Sequence, residues 1–316
     1  MSPTERPEIL VLAKILPAAL EALSAQYRCH FAWEATDQKA LLADIGPRVR
    51  ALVIGGTSAV PAALIDALPK LEIIAVFGVG YDKVDLDRCR ARGVALTNTP
   101  EVLTDDVADL ALGLMLAVSR RIVFNDRFAR EGRWLSGNPP LARKLSGKRL
   151  GILGLGRIGK AVARRAAGFG MSIAYHDVAA QTDQPWRFVP DLVELARGSD
   201  FLAVTAAASA GTDRMVNRAV LDALGKKGTL ISVARGSIVD EAALVAALTE
   251  GRLGAAGLDV FIDEPRIPEA LFKLDNVVLQ PHQASATLET RQAMADLVLS
   301  NLAAHFAGKA LLTRVL

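Results

Sequence analysis

"RLGILGLGRIGKAVARRAAGFGMSIAYHD", residues 149–177, constrains what this chain can fold into more than any other stretch. An apolar run leads into Gly154-Leu155-Gly156-Arg157-Ile158-Gly159, and Ile158, Val162, Ala163 and Ala166 then recur at helical spacing. A second apolar run ends at Asp177, eighteen residues after Gly159. Three spaced glycines alone mark many ordinary turns. Strand, glycine loop, helix and terminal acid together form the unit that binds a dinucleotide. Gly154 then permits the tight turn, Gly156 lets the backbone approach a pyrophosphate, and Gly159 lets the helix lie close to the strand. Leu155, Arg157 and Ile158 complete the loop, where the helix start offers free N–H groups and a positive dipole end to phosphates. Asp177 would accept hydrogen bonds from ribose hydroxyls. A carboxylate there repels a 2′-phosphate, and Val178-Ala179-Ala180 supply no cation to offset it. NAD (as NADH) is favoured, with NADP as the alternative.

The same rhythm extends over most of the 316 residues, a length that suits about two domains. Apolar runs at 8–13, 51–56, 72–77, 94–98, 149–154, 172–177, 200–205, 229–234, 255–260 and 276–280 read as buried strands. Helical patterns at 17–26, 38–44, 61–68, 84–91, 157–169, 190–197 and 240–250 lie between them. Such alternation predicts an α/β fold of doubly wound parallel sheets, covered on both faces. One segment departs from it. Residues 104–134 read as a single long helix that Thr104 would cap, with Asp105 and Asp106 in its first turn. It would bridge two domains, and a last helix is expected over 286–306.

Beyond the strand ends of the second set stand Arg235, Glu264 and His282, and ligands of doubly wound sheets bind beyond such ends. Singly each is unremarkable: a turn arginine, a solvated glutamate before proline, a loop histidine. Together they fit hydride transfer to a 2-oxo acid. Histidine, with an ordinary pKa of ~6.5, can donate the proton that a developing alkoxide needs. A neighbouring carboxylate orients the ring and stabilises its charged form. A guanidinium pairs with the substrate carboxylate.

With these residues in view, the chain resembles the D-isomer-specific 2-hydroxyacid dehydrogenase family, in its glyoxylate/hydroxypyruvate reductase branch. The resemblance rests on "VFGVGYDKVD", "VLTDDVADLALGLMLAVSRR", "LGILGLGRIGKAVA", "ISVARGSIVDEAALVAAL", "GLDVFIDEP" and "QPHQASAT", and covers nearly the whole chain. It implies Arg235 for substrate binding, His282 as general acid and Glu264 as the partner of that acid. It implies that Asp259 contacts the nicotinamide carboxamide, and that Val233, Ala234 and Thr104 lie along the cofactor. The turn Gly78-Val79-Gly80, ahead of a short helix, adds backbone N–H groups of Val79 and Gly80 for the substrate carboxylate. The implied architecture is a Rossmann-type cofactor domain, 99–284, and a flavodoxin-like substrate domain, 1–98 with 285–316, with a cleft between them. A homodimer is implied as well, with Trp134 at its interface or else in a core. The chain departs from the family pattern in "TAAASAGTDR" (205–214), in Asp177-Val178 and in Gln283-Ala284.

The remaining composition narrows the partners. A net charge of +3 gives no nucleic-acid footprint but suits a small anionic 2-oxo or 2-hydroxy acid. Cys29 and Cys89 have no metal-ligand spacing, so no metal and a reducing compartment, the cytoplasm, are expected. The N-terminal run is broken by Lys14 and Pro17, which argues against a membrane span. The expected activity is NAD(P)-dependent reduction of a small 2-oxo acid. The competing readings are a dinucleotide-sensing protein on the same scaffold and a phosphite or other 2-hydroxyacid dehydrogenase.

Overall fold

The computed structural model describes residues 6–316, which divide into two compact units. One runs to Leu103 and resumes over Ala286–Leu316; the other is Thr104–Ser285. The sequence boundary at 98/99 falls inside the first unit because the chain after the last strand there stays tied to it. Thr99 N–H donates to the Gly78 carbonyl at 2.9 Å, and the Thr313 hydroxyl donates to the Asn98 carbonyl at 2.6 Å.

The first unit holds β1 (Glu8–Val11), β2 (Arg28–Phe31), β3 (Val49–Gly55), β4 (Ile73–Phe77) and β5 (Ala95–Thr97). They form one parallel sheet in the order β2-β1-β3-β4-β5, the flavodoxin-like order. β4 is buried along its whole length, as expected of a central strand covered by helices on both faces. The terminal helix Leu288–Phe306 returns to this unit, against β4 and the helix Pro17–Gln26. Asn301 pins the C-terminal residues beyond that helix. Fully buried, it accepts the amides of Leu312 and Thr313 and donates to the Thr313 hydroxyl.

The second unit holds β6 (Arg149–Leu153), β7 (Ser172–His176), β8 (Arg187–Phe188), β9 (Phe201–Val204), β10 (Thr229–Ser232), β11 (Ala255–Leu258) and β12 (Val277–Leu279). Their order is β12-β11-β10-β9-β6-β7-β8, all parallel. β6 lies between β7 and β9, so the strand order reverses at the end that carries the glycine loop. That reversal is where open α/β sheets bind ligands.

Three features depart from the sequence expectation. β2 and β8 were not predicted: both are edge strands, bonded on one side, and "RCHF" and "RF" present no continuous apolar run. The helix Arg218–Leu224 was not predicted either, although Asn217 caps it by accepting the Ala219 and Val220 amides. The expected single helix over 104–134 is broken. A helix Thr104–Ser119 ends, Arg121 turns left-handed with φ 53°, and a second helix Ile122–Arg130 and a 3₁₀ turn Arg133–Ser136 come after it. Burial explains the break. The first helix packs its Val107–Val118 face on the sheet and on the helix Arg157–Ala167, with Arg165 pairing to Asp105 and Asp109. The second buries no residue at all. Trp134 is 68% exposed, which removes it from any core.

Candidate active site

The glycine loop leaves β6 at Gly154, whose φ of +90° suits only glycine; an added Cβ would meet the Ala206 backbone at 2.5 Å. Gly159 sits in the first turn of the helix Arg157–Ala167, and its Cβ would meet the Gly154 carbonyl oxygen at 2.2 Å. Gly156 differs from both, because a Cβ there would meet nothing within 4 Å. Two glycines are therefore demanded by the protein's own backbone, and one keeps open space over a helix start. That pattern fits a dinucleotide pyrophosphate, which needs close approach to free amides. Leu155 is buried, Arg157 exposed and Ile158 half-buried beside this opening.

Asp177, just past β7, is bound to the glycine loop. Its Oδ2 accepts the Leu155 amide at 2.8 Å, and its Oδ1 accepts the Val178 amide at 2.7 Å. Gln181, which sequence reasoning missed, donates to the Leu155 carbonyl at 3.0 Å and to Asp177 Oδ2 at 3.3 Å. Arg187 pairs in register with Ala174, three residues back along β7, and its Nη2 lies beside Gly198, ahead of β9. It is at the opposite ends of the strands from Asp177 and supplies no counter-charge there. In the 205–214 loop, the Thr205 hydroxyl donates to the Gly154 carbonyl at 2.7 Å, and Thr212 ties Ala207 and Ser209 into a turn.

Glu264 and His282 lie past β11 and β12 and meet there. His282 Nδ1 is 2.7 Å from Glu264 Oε2, and Glu264 Oε1 accepts the Phe261 amide at 3.0 Å. Burial works against the Glu264 charge. The hydrogen bond to His282, the Phe261 amide and the nearby charges of His282 and Arg235 outweigh it, and hold the carboxyl below its ordinary value. An ionised Glu264 can only accept, so Nδ1 carries the shared proton and Nε2 is left for a substrate. His282 itself has φ +54°, a conformation uncommon for a side chain of this size.

Asp259 sustains that conformation. It is fully buried and accepts the Gln283 amide at 2.7 Å and the Ala284 amide at 3.1 Å, while its carbonyl accepts the His282 amide at 2.9 Å. Burial pushes its pKa up, against the two amides. Both of its oxygens thus accept amides of the loop that carries His282. Gln283 donates its side chain to the Pro281 carbonyl at 3.1 Å, closing the same loop.

Arg235 comes after β10 in extended conformation, half-buried, and donates to the Ala234 carbonyl at 2.9 Å. Val233 is buried and Ala234 half-buried at that strand end; Thr104 opens its helix half-buried. Gly236 was missed by sequence reasoning. A Cβ there would fall 2.1 Å from the Phe261 carbonyl carbon, so the Arg235 turn presses on the segment whose amide holds Glu264. The glycine directly after Arg235 was its sequence signal.

In the first unit, Val79 and Gly80 are half-buried in the turn after β4. The short helix expected behind them, over 84–91, is present. A turn intervenes, and the helix runs Leu86–Arg92, capped by Asp85.

The chain is similar to known proteins over nearly its whole length. The family model described as "D-isomer specific 2-hydroxyacid dehydrogenase, NAD binding domain" matches residues 112–284. A hydroxyphenylpyruvate reductase from Plectranthus scutellarioides is 50% identical over 307 residues, covering 97% of this chain and 98% of that protein. A solved 2-hydroxyacid dehydrogenase from Ketogulonicigenium vulgare superimposes with a TM-score of 0.92 at 52% identity, covering 99% of each chain. An NADPH-dependent glyoxylate/hydroxypyruvate reductase from Sinorhizobium meliloti, solved with NADP and malonate, gives a TM-score of 0.93 at 47% identity, covering 98% of this chain and 97% of that one.

Proposed function

Because the chain belongs to the D-isomer-specific 2-hydroxyacid dehydrogenase family, we propose a specific role for each residue of its site. The chain is an NAD(P)-dependent oxidoreductase that reduces small 2-oxo acids. Glyoxylate and hydroxypyruvate are the proposed substrates. The observation that carries this reading is the 2.7 Å contact of His282 with Glu264, beside Arg235, at the strand ends of the unit that holds the glycine loop.

The unit Thr104–Ser285 is the cofactor domain, and Gly154–Gly159, Asp177, Val233, Ala234 and Thr104 hold the dinucleotide. A bound reduced nicotinamide supplies the hydride. His282 Nε2 supplies the proton to the substrate's carbonyl oxygen. Glu264 holds the ring in the tautomer that leaves Nε2 free, and stabilises its protonated form. Arg235 pairs with the substrate carboxylate and polarises the carbonyl. The other unit is the substrate domain, where Val79 and Gly80 N–H groups receive the carboxylate. A spectrophotometric panel of 2-oxo acids with NADH and NADPH tests this. Dinucleotide binding without turnover of any acid would favour a sensor instead.

NADH is the proposed coenzyme, although the Sinorhizobium meliloti relative is NADPH-dependent. Asp177 is negative, Val178 is fully exposed, and Arg187 lies at the other end of its strand. Asp177→Asn keeps an acceptor for the Leu155 amide but removes the charge. It should narrow the NADH-over-NADPH preference by about tenfold in kcat/KM. A parent enzyme that already prefers NADPH sinks this assignment.

We also propose a homodimer and a cytoplasmic location. Ile122, Val123, Trp134, Leu135 and Leu141 are all exposed within one short segment, an apolar surface of the kind that marks interfaces. Cys29 and Cys89 are free thiols, which suits a reducing compartment. Among the described residues no helix is long and apolar enough to cross a membrane. Light scattering should give twice the chain mass for the parent and one chain mass for Trp134→Glu/Leu135→Glu. A monomeric parent removes the dimer.

A further inference from the structure

The turn after β4 carries more unspent polarity than two backbone amides. Neither the Val79 nor the Gly80 N–H donates to a protein acceptor among the described residues. Thr99, whose own amide is bonded to the Gly78 carbonyl, is fully buried, and its hydroxyl has no partner. Arg291, in the first turn of the helix Leu288–Phe306, packs on the residue just ahead of that turn. Its guanidinium lies 5.5 Å from the ring centre of Phe77, the residue that leads into Gly78. Burial pulls its pKa down, and no carboxylate among the described residues is within ion-pair distance of it.

This combination is unusual on energetic grounds. Among the described residues, the other half-buried arginines of this unit each have an acid: Arg50 has Glu72, and Arg88 and Arg92 share Asp66. A desolvated cation without a counter-charge destabilises the protein that carries it. The aromatic face of Phe77 offsets only a part of that. Orphaned amides and a buried unpaired hydroxyl add to the cost. Polar groups left unsatisfied together at one strand end are groups reserved for a ligand, and their signs specify an anion.

We propose that Arg291 is a substrate-binding residue, a second cation that receives the carboxylate of the 2-oxo acid at the Phe77–Gly80 turn. It rests on the 2-oxo acid reductase reading and deepens it. The ligand class is a small carboxylate, bound by the Val79 and Gly80 amides and the guanidinium together. The contact with the Phe77 ring limits the freedom of the guanidinium.

Steady-state kinetics of Arg291→Met and Arg291→Lys with glyoxylate and hydroxypyruvate test it. Methionine preserves the packing on Phe77 and removes the charge. The expected result is a KM for the 2-oxo acid raised about 10–100-fold, the loss of a charged hydrogen bond. The KM for NADH stays unchanged, and lysine recovers part of the loss. A KM within about twofold of the parent's in the folded methionine variant overturns the proposal. If the methionine variant does not fold, an unchanged KM in the lysine variant overturns it, because a point charge cannot replace a bidentate fork without loss. Calorimetric titration of malonate into the parent and the variant separates the two readings. Weaker malonate binding in the variant, with a parent that turns over no 2-oxo acid, keeps Arg291 as an anion receptor and sinks the reductase reading. Equal malonate binding in both proteins sinks Arg291.

Discussion

His282→Asn is expected to lower turnover with every 2-oxo acid by about 10²–10⁴-fold, with the dissociation constant for NADH nearly unchanged. Asparagine is the informative replacement because of the backbone. His282 sits at φ +54°, and asparagine tolerates that region better than most side chains, so the loop need not move. The Asp259 carbonyl still accepts the residue 282 amide, and Asp259 still holds the amides of residues 283 and 284. What is lost is the group that can carry a proton at the Nε2 position while Glu264 binds Nδ1. Unchanged turnover in a folded variant would remove His282 from the proton-transfer step.

Gly159→Ala should be the most disruptive single methyl in the cofactor unit. The new Cβ would stand 2.2 Å from the Gly154 carbonyl oxygen and 3.0 Å from Thr205 Oγ1, and the first contact is with backbone, which cannot rotate away. Separating that helix from β6 is expected to cost at least about 3 kcal/mol. It should lower the apparent Tm by about 6–12 °C for a unit of this size. Dinucleotide binding falls with it, because the amides of the helix start shift. Gly156→Ala is the paired control. Its φ of −73° suits alanine, and there is open space at its Cβ. It should leave the Tm unchanged within a degree or two and raise the NADH dissociation constant about tenfold or more. Equal effects of the two alanines, on Tm and on binding alike, would defeat the separation of structural from ligand-facing glycines.

Much of the fold was legible because buried parallel strands are near-continuous apolar runs, and ten of them stand out in the sequence. Two of the four edge strands were not legible. β2 and β8 are held by one neighbour each, carry an arginine, and need no apolar run to form. The break at Arg121 was hidden for a related reason. Helical periodicity continues through 122–130, but the sheet that rewards burial ends near Val118. Periodicity reports which face a helix would bury, not whether anything lies opposite.

The site divides along the same line. His282, Glu264, Arg235 and the glycine loop were legible as candidates because catalysis and phosphate binding restrict residue type, and the alternation of strands and helices assigns each to a strand end. The sequence alone therefore determined the two-sheet α/β architecture and the class of chemistry, and named the residues proposed to carry it. Only the tertiary structure decided what each group spends its polarity on. It bound both oxygens of Asp259 to the His282 loop and Asp177 to the glycine loop, put Arg187 at the start of β8 opposite Ala174, and left Arg291 without an acid among the described residues. The reason is geometric. A residue's type limits the bonds it can make, but hydrogen bonds and ion pairs act over a few ångströms, and those neighbours are set by folding, not by position along the chain.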